Sequence, residues 1–279
     1  MAKASWYSRL CPVGEQRIVS TFVTPDMAIE ALAANTNNRK VMPRRVALLV
    51  AEIESSRWVE TGNTIKFSRE GELIDGQHRL HAIVKSGTGL RLNVALGLEP
   101  ETKPIVDAIQ PRKTSENIHI AGYANSTTLG SLTRLAIPYF RGDNPFSYRG
   151  TRSFAFGEIR DWIEENSDCH QAATSAISLK QIMPVSVAAF CLLVFRRRDA
   201  VLAEEWRQKM QTGAGLVDGS TWHLLRRRLE ADRMSRKKES PEQTCAVCFL
   251  AWNARRKGRE LGVIRYIPDP DRSKFIIAE

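Results

Sequence analysis

The stretch Leu73-Ile74-Asp75-Gly76-Gln77-His78-Arg79-Leu80 does most to limit what this chain folds into. Upstream, Thr64-Ile65-Lys66-Phe67-Ser68 alternates apolar with polar residues, and Glu72-Leu73-Ile74 is short and apolar-centred, so both predict strands. Gly71 supplies the hairpin turn between them. Downstream, Leu80, Ile83 and Val84 recur at helical spacing, and Gly87 supplies a stop. Gly76 therefore stands where a strand turns sharply into a helix. The first backbone N–H groups of a helix lack partners within it, and its dipole favours negative charge there. Gly76, Gln77, His78 and Arg79 thus make a candidate seat for a phosphate. A purely structural turn, with His78 and Arg79 paired to nearby carboxylates, accounts for the same residues.

Phosphoryl transfer or hydrolysis at such a seat needs a carboxylate or a metal, since Arg and His alone mostly bind and stabilise charge. Asp75 is adjacent, and Glu72 lies three residues earlier. Strand alternation puts Glu72 with Ile74 on one face and Leu73 with Asp75 on the other. Asp75 is then either a cap for the following helix or a catalytic carboxylate, with Glu72 as the second catalytic candidate.

Asp75-Gly76-Gln77-His78-Arg79 resembles the signature of the ParB/sulfiredoxin superfamily, in the DGQHR-motif branch found on phages and plasmids. Partition proteins of the ParB type carry a similar Gly-Glu-Arg-Arg-x-Arg-Ala stretch, matched here by Gly76-Gln77-His78-Arg79-Leu80-His81-Ala82. The resemblance covers roughly residues 20 to 125. It implies a ParB/sulfiredoxin-like domain whose turn holds the phosphates of a nucleoside triphosphate, ATP or CTP, with or without Mg2+. In the related phage proteins an Asn-x-x-Asn-Arg stretch precedes a helix, which makes Asn38 and Arg39 secondary nucleotide contacts. An Asp-x-Gly-x-x-Arg-Ser segment of those proteins is matched in part by Asp107, Gln110, Arg112 and Ser115, so Asp107 and Arg112 are further candidates. Sulfiredoxin chemistry is set aside, because the nucleophilic Cys of that branch falls at Gln77 and an amide cannot replace a thiolate.

The remaining chain fits two domains. With 279 residues, 43% hydrophobic and 26% charged, it has the make-up of a soluble globular protein. It shows neither a membrane-length apolar run nor a signal-peptide core, which predicts a cytoplasmic protein without a membrane partner. A net charge of +10 suits polyanionic partners. Five scattered cysteines argue against a disulfide framework. Cys245-x-x-Cys248 sits in an apolar stretch with no second pair at suitable spacing, and reads as buried helix rather than half a zinc site.

Thr24 is an expected N-cap, with Pro25 opening a helix through Ala34. Pro43 begins another, with Val46, Leu49, Val50 and Ile53 on its buried face. Arg44 and Arg45 in its first turn oppose the dipole, which invites an anion or leaves a solvated basic patch. Leu90 to Leu96 reads as a strand and Pro104 to Ile109 as a short helix, while residues 1–20 give no periodic signal. The expectation is an α+β protein, with an α/β nucleotide-binding domain over 1–125 and a basic helical domain over 126–279. The helices end near residue 262, before a tail with Pro268 and Pro270.

The chain holds 16 Lys and Arg against 12 Asp and Glu up to residue 114, and 25 against 19 beyond it. Val185 to Phe195 reads as a buried helix ending in Arg196-Arg197-Arg198. Arg226, Arg227, Arg228, Arg236, Lys237 and Lys238 are the candidate DNA contacts. Trp206, Trp222 and Trp252 nearby suit base stacking, or else belong to the core. Three functions stay open: a nucleotide-gated DNA-binding protein that could work as a homodimer, a phosphoryl-transfer enzyme or nuclease, and a DNA-binding regulator without nucleotide.

Overall fold

The computed structural model describes residues 5–10, 15–36, 38, 40–102, 114–147, 154–268 and 275–279. The protein is mixed α+β and divides into two compact units, Met1–Pro111 with Ser153–Gly157, and Arg112–Arg152 with Glu158–Glu279. Among the described residues no helix is long and apolar enough to cross a membrane.

The first unit is a four-stranded mixed sheet packed against three helices. Strand β1 (Arg17–Val23) pairs antiparallel with β4 (Leu90–Leu98). β4 runs parallel to β2 (Thr64–Ser68), and β2 pairs antiparallel with β3 (Leu73–Asp75), giving the order β1-β4-β2-β3. Helix α1 (Pro25–Ala33) begins where the sequence places it, with Thr24 Oγ1 accepting from Met27 N at 3.2 Å. Helix α2 (Pro43–Glu54) buries Val46, Val50 and Ile53, and α3 (Gln77–Ser86) packs against both α1 and α2. Ile65, Phe67, Leu73, Leu80, Ile83 and Val94 fill the core at 0% exposure. Tyr7 stacks on Phe67 with centroids 4.1 Å apart.

Strand β1 begins in the stretch, residues 1–20, that gives no periodic signal. It is an edge strand whose apolar residues lie on both faces, Val19 and Val23 turned inward and Ile18 and Phe22 outward at 68% and 51% exposure, so apolar and polar residues do not alternate along it. The expected helix over 104–109 lies outside the described residues.

The second unit is helical: α4 (Thr114–Ile120), α5 (Ser126–Phe140), α6 (Phe156–Glu165), α7 (Asp168–Ala176), α8 (Val185–Arg198), α9 (Ala200–Thr212), α10 (Thr221–Met234) and α11 (Pro241–Arg256). Helix α8 is the axis of the unit. Val187 to Phe195 are buried without a break, because α5, α7, α9 and α11 surround it. A helix apolar on all sides is stable only inside such a shell. Phe195 stacks on Trp252 at 4.2 Å and meets Trp206 edge-on at 5.2 Å.

Unit two begins earlier than residue 126. Gly130 of α5 lies against Ile118 of α4, where a Cβ would stand 3.4 Å from Ile118 Cδ1, and this close packing places α4 in the helical unit.

Candidate functional site

Gly76 joins β3 to α3 at φ 106, a backbone that side-chain-bearing residues rarely adopt. A Cβ there would also stand 2.3 Å from Ile65 Cδ1. Both conditions demand glycine, and together they bring the chain over β2 directly into the helix.

The strand before it departs from simple alternation. Lys66 pairs with Asp75 and Phe67 with Leu73, so Ile74 is an extra residue with no partner of its own in β2. Such a bulge inverts the alternation on one side of itself. Leu73 and Ile74 are both buried, while Asp75 sits opposite Lys66. The expected sharing of a face by Leu73 and Asp75 is therefore corrected.

Asp75 Oδ1 accepts from Gly76 N at 2.7 Å, and its Oδ2 lies 3.3 Å from Lys66 Nζ and 3.7 Å from Arg79 Nη2. Its capping bond thus goes to the turn itself rather than to the second or third helical residue. Glu72 turns elsewhere and accepts from Thr36 Oγ1 at 3.0 Å. Among the described residues the two candidate catalytic carboxylates share no hydrogen-bond or ion-pair partner, and Asp75 is already tied to two cations.

Arg79 is a brace as well as a cation. Its Nη1 donates to Asn63 O and its Nη2 to Thr64 O, both at 2.8 Å, which fixes the start of β2. Burial lowers the Arg79 pKa, Asp75 raises it, and the nearby charge of Arg45 lowers it again. Arg45 is exposed on the first turn of α2, and its charge acts on Arg79.

Gln77 and His78 are buried at 5% and 6% exposure. Gln77 Oε1 accepts from Asn35 Nδ2 at 3.1 Å, and His78 Nε2 accepts from Met42 N at 3.1 Å. An Nε2 that accepts carries no proton, so this bond holds the Nδ1-protonated ring. Asn38 Nδ2 donates to Asn35 Oδ1 and, at 2.7 Å, to Leu73 O. The structure therefore gathers Asn38, Gln77 and His78 into a polar lattice that fastens Asn35, Asn38 and Met42 to β3 and the start of α3. Asn35, which joins Gln77 to Asn38, was not singled out in the sequence, although it begins the Asn-x-x-Asn pattern. Arg39, Asp107 and Arg112 lie outside the described residues.

The basic run on α10 does not form one face. Successive helical residues are about 100° apart, so three neighbours spread around most of the surface. Arg226 pairs with Glu230 at 2.8 Å and donates to Met210 O, while Arg228 pairs with Glu239 at 2.7 Å and donates to Ile264 O. Arg227 is exposed and has no ion pair among the described residues. Arg236 and Lys237 are exposed, and Lys238 Nζ donates to the carbonyls of Asp232 and Arg233. Trp206, Trp222 and Trp252 are buried at 0%, 4% and 0%, so they serve the core and offer no stacking platform.

Cys245 and Cys248 lie buried in α11 beside Cys191 of α8. Among the described residues no group of three or more His, Cys, Asp or Glu is placed to hold a metal ion. Compared with known proteins, the chain matches no family model, no curated protein and no solved structure.

Proposed function

We propose that the first unit binds a nucleoside triphosphate and the helical unit binds DNA, the division of labour expected of a ParB-like protein of a phage or plasmid. The observation that carries the reading is the charge around the β3–α3 turn. Lys66 and Arg79 pair with the carboxylate of Asp75, and the charge of Arg45 is felt at Arg79, at the start of a helix. Two cations on one carboxylate, with a third charge close enough to act on Arg79, leave positive charge that a phosphate would neutralise, and the helix dipole adds to it. ATP and CTP both fit this chemistry, with or without Mg2+. Turnover is not part of the proposal, because Asp75 is engaged by Gly76, Lys66 and Arg79. On the DNA side Arg227, Arg236 and Lys237 are the open cations, with Arg226, Arg228 and Lys238 supporting them. Such a protein works in the cytoplasm, and a homodimer would present two basic surfaces.

Calorimetry with ATP, CTP and GTP tests the first half. One of them should bind, and Arg45→Gln should weaken it by about 1.5–3 kcal/mol, the worth of a hydrogen bond to a charged group. Arg45 is exposed, so thermal unfolding should not change. Failure of all three to bind at millimolar concentration overturns the reading. For the second half, replacing Arg227, Arg236 and Lys237 by Ala should flatten the salt dependence of DNA affinity, by about 0.9 in log–log slope per lost phosphate contact. An unchanged slope removes DNA from these three residues.

A further inference from the structure

At the C-terminal ends of α5 and α8 the helical unit has a half-open cavity of about 610 Å³, inside the size range of small-molecule sites. Phe140, Val194 and Phe275 form apolar walls. The walls are already set. Phe275 packs on Phe146 at 5.0 Å and on Phe249 at 5.6 Å. The segment that carries it is pinned where Ala278 N donates to Tyr139 Oη at 3.1 Å and Asn253 Nδ2 donates to Ile277 O at 2.9 Å.

The polar groups on the cavity differ in how far they are committed. Arg197 gives two 2.7 Å bonds to Asp168 and lies 4.4 Å over the Phe140 ring, so it is part of the wall. Asp143 already has a partner. Arg198 is exposed, ends α8, and forms no hydrogen bond or ion pair among the described residues. Tyr139 and Arg198 both line the cavity; burial raises the Tyr139 pKa against the opposing effects of the Ala278 hydrogen bond and the Arg198 charge, so the phenol keeps its proton. Tyr139 Oη accepts from Ala278 N, which leaves its own O–H to donate.

We propose that this cavity is a binding site for a small aromatic anion: a planar apolar body against Val194 and Phe275, and a carboxylate, sulfonate or phosphate group between Arg198 and the Tyr139 hydroxyl. The site belongs to the helical unit alone and is separate from the nucleotide reading of the first unit. Ligands of this kind are held by apolar enclosure and oriented by a few convergent polar groups. One charge-assisted contact then decides between an anion and its neutral analogue.

Fluorescence titration of the full chain with anilinonaphthalene sulfonate, against neutral N-phenylnaphthylamine, tests this. The sulfonate should fill one saturable site. Arg198→Gln should weaken it about tenfold, the loss of roughly one charged contact, and leave the neutral probe within about twofold. Ile277 is 63% exposed, so Ile277→Trp should narrow the mouth without unfolding the unit and weaken both probes. Thermal melts followed by circular dichroism verify that each variant is folded. The proposal fails if no saturable site exists, if Arg198→Gln weakens both probes equally, or if Arg227→Gln weakens the sulfonate as much. It also fails if a folded Ile277→Trp variant binds both probes unchanged.

Discussion

Helix α8 buries nine consecutive residues, Val187 to Phe195, and every one of them is apolar. Helix α3 buries five, and two of these are Gln77 and His78, each holding a named partner on another segment. In α8 the quantity that matters is volume, since aromatic and aliphatic side chains fill space with no directional demand. In α3 it is position, since an amide or imidazole placed a little wrongly leaves both itself and its partner unsatisfied. The two helices teach that burial has two currencies in one chain. Area holds the helical unit, and direction holds the β3–α3 turn.

Three substitutions break this contrast or sharpen it. The largest effect is expected at the volume-filling site: Phe195→Ala, between Trp206, Phe249 and Trp252, should cost about 3–5 kcal/mol in urea unfolding. A loss below about 1 kcal/mol would mean that the helical core closes over the gap and that volume does not hold it. Next comes Gly76→Ala, which meets both an adverse φ and the Ile65 side chain, and should cost roughly 2–4 kcal/mol. If Gly76→Ala were neutral, the turn would be free to move and the directional account of α3 would fall. The smallest is Asn38→Ala, which removes one donor from Leu73 O and one from Asn35 Oδ1, and should cost about 1 kcal/mol. Its value lies in a double-mutant cycle with Gln77→Ala. A coupling near zero would show that the amides do not act as a lattice.

Much of this was legible locally. Thr24-Pro25, Pro43 and the apolar run from Val185 announce their helices because caps and hydrophobic spacing act within a few residues. The strand–glycine–helix order around Gly76 was legible for the same reason. Three features were not. The β1 edge exposes Ile18 and Phe22, so its pattern carries no inside and outside. The bulge at Ile74 is a property of pairing with β2, which no single strand encodes. The fates of Arg226 and Arg228 depend on Glu230 and Glu239 being within reach, and on Met210 and Ile264 offering carbonyls from other parts of the chain. At the motif, residue types named the partners that were possible, and only the fold chose among them.

The buried thiols of the helical unit have a consequence for how it can be watched. Burial pushes the Cys169 thiol up to about 12 and raises Cys191 and Cys245 as well, while a hydrogen bond with Cys191, and then burial, raise Cys248. A protonated, enclosed sulfur does not attack an alkylating reagent, because the thiolate is the nucleophile. Each labelling event therefore waits for the shell around α8 to part, and the rate of labelling becomes a clock for how often it opens. Alkali runs that clock faster for a thermodynamic reason. The unfolded chain gives up these protons from about pH 9 while the folded one keeps them, so the contribution present below that pH is lost as pH rises toward 12.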